Sequence, residues 1–239
     1  MQIKNSTIII TGSSEGIGEQ AVYEFAKQGA NLILISKNLD KLNNVASEAK
    51  KLGAKRVDIF AIDLRRLEEI QNVSEKLNSS FDQIDGIINN AGIWQKKANL
   101  DDIPDDEIMS VLSTNLTGMI LLTKKVLPLL RKSTEAFIIN ISSKSGYSAQ
   151  LGQSVYSASK YGVRGFTEVL REDLKDSNIK VAGIYQGGTN TNLFNKAGEV
   201  FTKEKLATFI PPNELAKVFV FMVSRPKGVW LHEVRIESE

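Results

Sequence analysis

The chain has 239 residues, 42% of them apolar, a length that supports one sizeable core and falls short of two typical domains. Thirty basic against twenty-eight acidic side chains leave a net charge of +2, which excludes a broad field for gathering nucleic acid or an anionic membrane surface. With no cysteine and one histidine, His232, the chain has no disulfide, thiolate zinc site or cysteine nucleophile, and leaves proton transfer at neutral pH to groups other than imidazole.

The N-terminal "MQIKNSTIIITG" lacks the pattern of a secretory signal, and no stretch approaches about 18 uninterrupted apolar residues. The expectation is a cytoplasmic protein with neither nucleic acid nor membrane as partner, in keeping with the absence of cysteine.

"STIIIT" (6–11) reads as a first buried strand, and "TGSSEGIG" (11–18) follows it directly, opening a helix. Gly12, Gly16 and Gly18 allow a tight turn and close backbone approach, so that amide groups at a helix N-terminus, with Ser14 and Ile17 beside them, point at an anion such as a nucleotide phosphate. "NLILIS" (31–36) is the second strand and ends in "ISKN". An acid at that point would accept from a ribose 2′-OH, whereas Ser36 and Lys37 suit a 2′-phosphate and favour NADP(H) over NAD(H). Glu15, in the glycine loop, counts against a 2′-phosphate. Asp40 reads as a first-turn acid of the helix "LDKLNNVASEAKKL" (39–52).

"RVDIFAI" (56–62), "IDGIIN" (84–89), "AFIINI" (136–141), "IKVAGIY" (179–185) and "VWLHEVRI" (229–236) supply five further strands, and helical patterns fill the gaps between the first six. A helical stretch is expected over 105–131, and a loose segment from Gln186 to about Pro212. Strands that are apolar throughout and separated by helices imply an α/β fold: a doubly wound, parallel, seven-stranded, Rossmann-like sheet forming one domain over 1–239. Ligands of such sheets bind outside the carboxyl ends of the strands.

The helix read over 154–174 contains "YSASK", in which Tyr156 and Lys160 lie one turn apart with only small residues between them. A phenol with pKa near 10 is about one-thousandth ionised at pH 7, and a nearby ammonium is expected to favour phenolate, making a proton donor and acceptor usable near neutrality. Ser142 and Ser143 run off the fifth strand toward the same place, where a hydroxyl could hold a substrate carbonyl.

Together these pieces resemble the short-chain dehydrogenase/reductase family over nearly the whole chain. "TGSSEGIG" resembles its cofactor loop, Asp63 in "AIDL" its adenine contact with Leu64 beside it, and "NNAG" (89–92), with Asn90, Ala91 and Gly92, its motif after strand four. Asn115 in "LSTNLTG", Ser143, Tyr156 and Lys160 resemble its catalytic set. The resemblance implies hydride transfer between NAD(P)H and a small-molecule carbonyl or secondary alcohol. Tyr156 would be the general acid/base, Ser143 would position the substrate oxygen, Lys160 would orient the ribose, and Asn115 would hold a proton-relaying water.

Two departures accompany the resemblance. "YQGGTNT" (185–191) has Gln186 where the family usually has proline, while Gly187, Thr189 and Thr191 remain as candidate cofactor contacts, and the turn loses a fixed φ. The C-terminus lacks the glycine-rich tail of many members. Trp94, Tyr147, Leu151, Phe194 and Phe201 are candidates to line an apolar substrate pocket. The helices over 105–131 and 154–175 are expected to pair across a two-fold axis, giving a homodimer or homotetramer. Two other readings stay open at this point: a non-catalytic NAD(P)-binding sensor or scaffold, and a sugar-nucleotide epimerase or dehydratase, which would need a larger C-terminal substrate domain.

Overall fold

Alternate residues of the strands face opposite ways, and both ways are apolar. In a computed structural model describing residues 1–239, Ile8, Ile10, Leu32 and Leu34 enter one core, while Ile9, Ile33 and Ile35 enter the other. The strands are β1 (Thr7–Thr11), β2 (Asn31–Ser36), β3 (Val57–Ala61), β4 (Gly86–Asn89), β5 (Ala136–Ile141), β6 (Ile179–Gln186) and β7 (Glu233–Ile236). They form one all-parallel sheet in the order β3-β2-β1-β4-β5-β6-β7.

The first core lies under α1 (Gly16–Lys27) and α2 (Leu39–Leu52), and the second under α3 (Leu67–Ser80). After β4 come α4 (Asp105–Leu112), α5 (Gly118–Leu130) and, beyond β5, α6 (Ser154–Asp173). The loose segment after β6 holds two short helices, α7 (Leu193–Lys196) and α8 (Lys203–Ala207), before α9 (Pro212–Val223) packs beside α1. α2 matches its expected span because its ends are written locally: Asn38 accepts from the Lys41 N–H at 2.9 Å, and Gly53 takes φ +124° just past the last turn.

Strand order reverses between β1 and β4, and the two halves of the sheet wind away from that point. A crevice therefore opens outside their carboxyl ends. No helix is long and apolar enough to cross a membrane.

Two expected elements differ. The last strand covers only Glu233–Ile236, because Gly228 turns at φ +89° and the Trp230 indole donates back to the Val181 carbonyl at 3.1 Å, holding the preceding residues out of the ladder. The helical stretch over 105–131 is interrupted by a π turn at Ser113–Thr117, where the Gly118 N–H reaches the Ser113 carbonyl. Gly118 has no room for a side chain there: a Cβ would stand 2.2 Å from the Leu64 carbonyl oxygen.

Candidate active site

A cavity of about 490 Å³ follows the carboxyl ends of β1, β2, β4, β5 and β6. Of the predicted cofactor residues, Gly12, Ser14, Gly16, Ile17, Ser36, Lys37, Asp63, Leu64, Asn90, Ala91, Gly92, Tyr156, Lys160 and Thr191 line it. Gly18, Gly187 and Thr189 lie behind its wall.

Gly12 and Gly16 have φ of +64° and +61°, in the left-handed region that favours glycine. A Cβ on Gly12 would stand 2.9 Å from Ala91 Cα, and one on Gly18 would stand 2.2 Å from the Gly12 carbonyl oxygen. The loop is thereby folded tightly against "NNAG" and presents the start of α1 to the cavity. The Thr11 hydroxyl accepts from the N–H groups of Asn90 and Ala91, both at 3.0 Å, and Asn90 Nδ2 donates to the Thr11 carbonyl at 3.0 Å, joining the two motifs across β1 and β4.

At the end of β2 the Ser14 and Ser36 hydroxyls meet at 2.8 Å, with Lys37 and Lys41 alongside. Glu15 is held by Lys41 at 2.7 Å and also by Lys196 of α7, so its charge is compensated from two sides and does not oppose an anion. Asp63 is gripped by Arg65, whose Nε donates to both carboxylate oxygens. Burial raises the acid's pKa, but the Arg65 hydrogen bonds and charge, with Lys37 adding to them, outweigh burial and hold it below the usual carboxylate range. Its acceptor positions are thus largely taken by Arg65, which neither spacing nor resemblance foretells. The glycine cradle and the helix start together fit a dinucleotide cofactor.

At the other end Tyr156 and Lys160 both face the cavity and are nearly enclosed, at 6% and 5% exposure. Lys160 Nζ lies 5.7 Å from the phenol ring centroid and donates to the Ile141 carbonyl at 3.0 Å. Gly92 backs this ammonium: a Cβ there would lie 3.3 Å from Asn115 Oδ1 and 3.7 Å from Lys160 Nζ. The expected depression of the phenol's pKa is not what the structure gives. Burial pushes Tyr156 up to about 12, with a hydrogen bond from Ser143 acting the other way, and burial pushes Lys160 down to about 8. Loss of water around each group sets the direction of its shift.

Ser143 lies beside Tyr156, outside the cavity lining, and its Oγ accepts from the Ser145 N–H at 3.2 Å. Ser142 lines the cavity, but its hydroxyl donates to the Lys160 carbonyl at 2.9 Å and so braces α6. Asn115 sits below the cavity in the π turn. Its Oδ1 accepts from the Ile93 N–H at 2.7 Å and its Nδ2 donates to the Ile93 carbonyl at 3.0 Å, fixing the loop after β4.

The mouth over Tyr156 is aromatic. Trp94 packs on the phenol at 4.5 Å between centroids and on Phe194 at 4.9 Å, and Phe194 continues to Phe201 and Phe209. The Trp94 indole donates to Glu199 at 2.7 Å, tying the loop after β4 to the segment after α7. Two residues expected at this wall are elsewhere. Tyr147 packs against Tyr185 and donates to Glu237, while Leu151 is 97% exposed on a turn.

Sequence reading missed a buried polar ladder under the site. Asn89 Nδ2 donates to Asn140 Oδ1 at 2.8 Å and to Thr123 Oγ1 at 2.9 Å, and Asn140 Nδ2 donates to Thr167 Oγ1 at 2.9 Å. The signal was available, since an asparagine inside the apolar strand "AFIINI" is out of keeping with its neighbours. Trp94–Glu199 and Glu15–Lys196 had no such signal.

A dinucleotide-shaped cleft at the switch point of a doubly wound sheet, with a tyrosine and a lysine on one helix at its end, defines a nucleotide-dependent oxidoreductase. The family model for short chain dehydrogenases matches residues 6–200, and the chain belongs to the short-chain dehydrogenase/reductase family of NAD(P)-dependent enzymes. It is 31% identical over 229 residues to a 3-oxoacyl-[acyl-carrier-protein] reductase of Thermotoga maritima, covering 94% of this chain and 92% of that protein. It is 29% identical over 237 residues to an NADP-dependent 3-hydroxy acid dehydrogenase of Schizosaccharomyces pombe, covering 95% and 90%. Among solved structures, a short-chain dehydrogenase of Shigella flexneri 2a in complex with NADP superposes with a TM-score of 0.88 at 25% identity, covering 99% of this chain and 98% of that one.

Proposed function

We propose that the protein is an NADPH-dependent reductase of small uncharged carbonyl compounds, able to run in reverse on secondary alcohols, with Tyr156 as its general acid and base. The observation that carries this reading is the enclosure of Tyr156 and Lys160 side by side at one end of the glycine-lined cleft. When bound there, NADPH supplies the hydride. Tyr156 gives its phenolic proton to the carbonyl oxygen in reduction and takes it back in oxidation, and its high pKa keeps it protonated for the first task. Ser143 holds the substrate oxygen beside the phenol. Lys160 holds the ribose and restores the proton to Tyr156, and Asn115 anchors the backbone along which a relaying water would sit.

Preference for the 2′-phosphate rests on Lys37 just after β2, on the pairing of Glu15 with Lys41 and Lys196, and on the naming of the fission-yeast relative as NADP-dependent. An uncharged substrate follows from the aromatic mouth formed by Trp94 and Phe194 over Tyr156. Exposed Met109 on α4, with Tyr161 and Val169 on α6, supports pairing of these helices between copies in a homodimer or homotetramer.

The test is a panel of aldehydes, ketones and keto acids followed by loss of NADPH absorbance and repeated with NADH. Turnover of neutral carbonyls with NADPH ahead of NADH is expected. Cofactor binding without turnover of any compound would make the protein a non-catalytic binder instead.

A further inference from the structure

Ser143 leads into a single helical turn, Lys144–Gly146, in which the Ser143 carbonyl accepts from the Gly146 N–H at 2.9 Å and the Lys144 carbonyl from the Tyr147 N–H at 3.1 Å. Part of this turn rests on α6. The Ser145 hydroxyl donates to Gln153 Oε1 at 2.9 Å, and Gly146 lies so close to the helix that a Cβ would stand 2.8 Å from the Lys160 carbonyl oxygen. The rest is held from far along the chain. Lys144 Nζ donates to Glu237 Oε2 and the Tyr147 hydroxyl donates to Glu237 Oε1, so two side chains of one turn meet a single carboxylate.

Glu237 is itself fixed in place. It directly follows β7, whose last carbonyl, that of Ile236, accepts from the Gly187 N–H at 2.7 Å and ties the chain to the end of β6. The Tyr147 ring packs on Tyr185 at 5.9 Å between centroids, and the Arg235 guanidinium lies 4.4 Å from its centre. Lys144 and Tyr147 hold the Glu237 carboxyl below its usual range, while burial, with the bond to Glu237 adding to it, pushes the Tyr147 phenol up to about 12. At neutral pH the acceptor is therefore charged and the donor protonated. The ion pair is open to water, with the Lys144 and Glu237 side chains 42% and 41% exposed, so it adds little to folding stability. Its effect is on the geometry of the turn.

Resting on the reading of Ser143 as the group that holds the substrate oxygen, we infer that Glu237 is a positioning residue for the reaction. Its carboxylate fixes Lys144 and Tyr147, and through them the turn that sets Ser143 beside Tyr156. A displacement of about 1 Å in a group that orients a reacting oxygen can cost about 100-fold in rate, so a small loosening of this turn has a large readout. The contacts to α6 run through Ser145 and Gly146, and those to Glu237 run through Lys144 and Tyr147, so the two sets hold different residues of the same turn. The last strand thereby acts on the site at a distance, by carrying Glu237 to the loop after β5.

Hydrogen exchange and a two-by-two set of variants in the full chain test this. Glu237→Ala should speed exchange at the Gly146 and Tyr147 amides about tenfold, with the urea midpoint of the whole chain unchanged. With NADPH and the neutral carbonyl of the panel that turns over fastest, Glu237→Ala should lose about tenfold in kcat/KM while its Kd for NADPH stays within about twofold of the wild type. Glu237→Gln, which keeps an acceptor oxygen for Tyr147, should recover part of that loss. In a Ser143→Ala background the same Glu237→Ala change should cost less than about twofold, because two residues acting through one contact are not additive. A tenfold loss that persists without Ser143, a Glu237→Ala variant with the wild-type rate, or unchanged exchange in the turn would overturn the inference. Wild-type activity in Ser143→Ala itself, or no turnover of any panel compound, would overturn the reading of Ser143 on which it rests.

Discussion

Tyr156 and Lys160 sit one turn apart on α6, and burial moves them in opposite directions, the phenol up to about 12 and the ammonium down to about 8. The consequence for stability has a definite sign. In the unfolded chain Lys160 takes a proton below its ordinary 10.5, and in the folded protein only below about 8, so between these values the unfolded state binds more protons. Burying Lys160 therefore costs the folded state fully below about pH 8, and that cost is relieved as pH rises to about 10.5. At about 1.4 kcal/mol per decade the whole window is worth ~3 kcal/mol. Lys160→Met should accordingly be more stable than the wild type at pH 7, by ~1–3 kcal/mol after loss of the bond to the Ile141 carbonyl, with the difference narrowing between pH 8 and 10.5. Urea unfolding across that range measures it, and a difference that stays constant with pH would contradict a buried, depressed lysine.

Among the elements, the strands and α2 were legible because their signals are local: apolar runs of strand length, Asn38 as a cap, Gly53 as a stop. The break in the helical stretch over 105–131 falls at Asn115, a residue type that forms helix poorly. Illegible features depend on residues far apart in the chain. Lys196 reaches Glu15 only because α7 folds back over the glycine loop, and Trp94 reaches Glu199 only because two loops converge on Tyr156. Gly187 leaves the cleft because β7 takes its N–H, which no pattern around residue 187 records. The direction of the Tyr156 shift was missed for the same reason, since helical spacing gives the distance to Lys160 but not the loss of water around both groups. The π turn itself gives a prediction at this scale. Asn115→Ala leaves the N–H and carbonyl of Ile93 without their partners and should cost about 1–3 kcal/mol, with faster hydrogen exchange at Ile93. Unchanged exchange there would mean the loop after β4 is held by something else.

For the whole molecule, the two cores lie on either side of the sheet, and the glycine loop, Asn90 and the Tyr156–Lys160 pair are carried at strand ends or in the first turns of a helix. The proposed assembly buries the exposed apolar residues of α4 and α6. Val169→Asp should therefore lower the mass seen by light scattering to that of one 26.4 kDa chain, and a wild type already at that mass would remove the assembly from the picture. The most direct measurement on the proposed proton transfer is the rate of NADPH-dependent carbonyl reduction by Tyr156→Phe, taken with its affinity for NADPH. Loss of about 10²–10⁴-fold in rate with affinity within a few-fold of the wild type is the predicted result. Retention of most of the rate would show that another group delivers the proton.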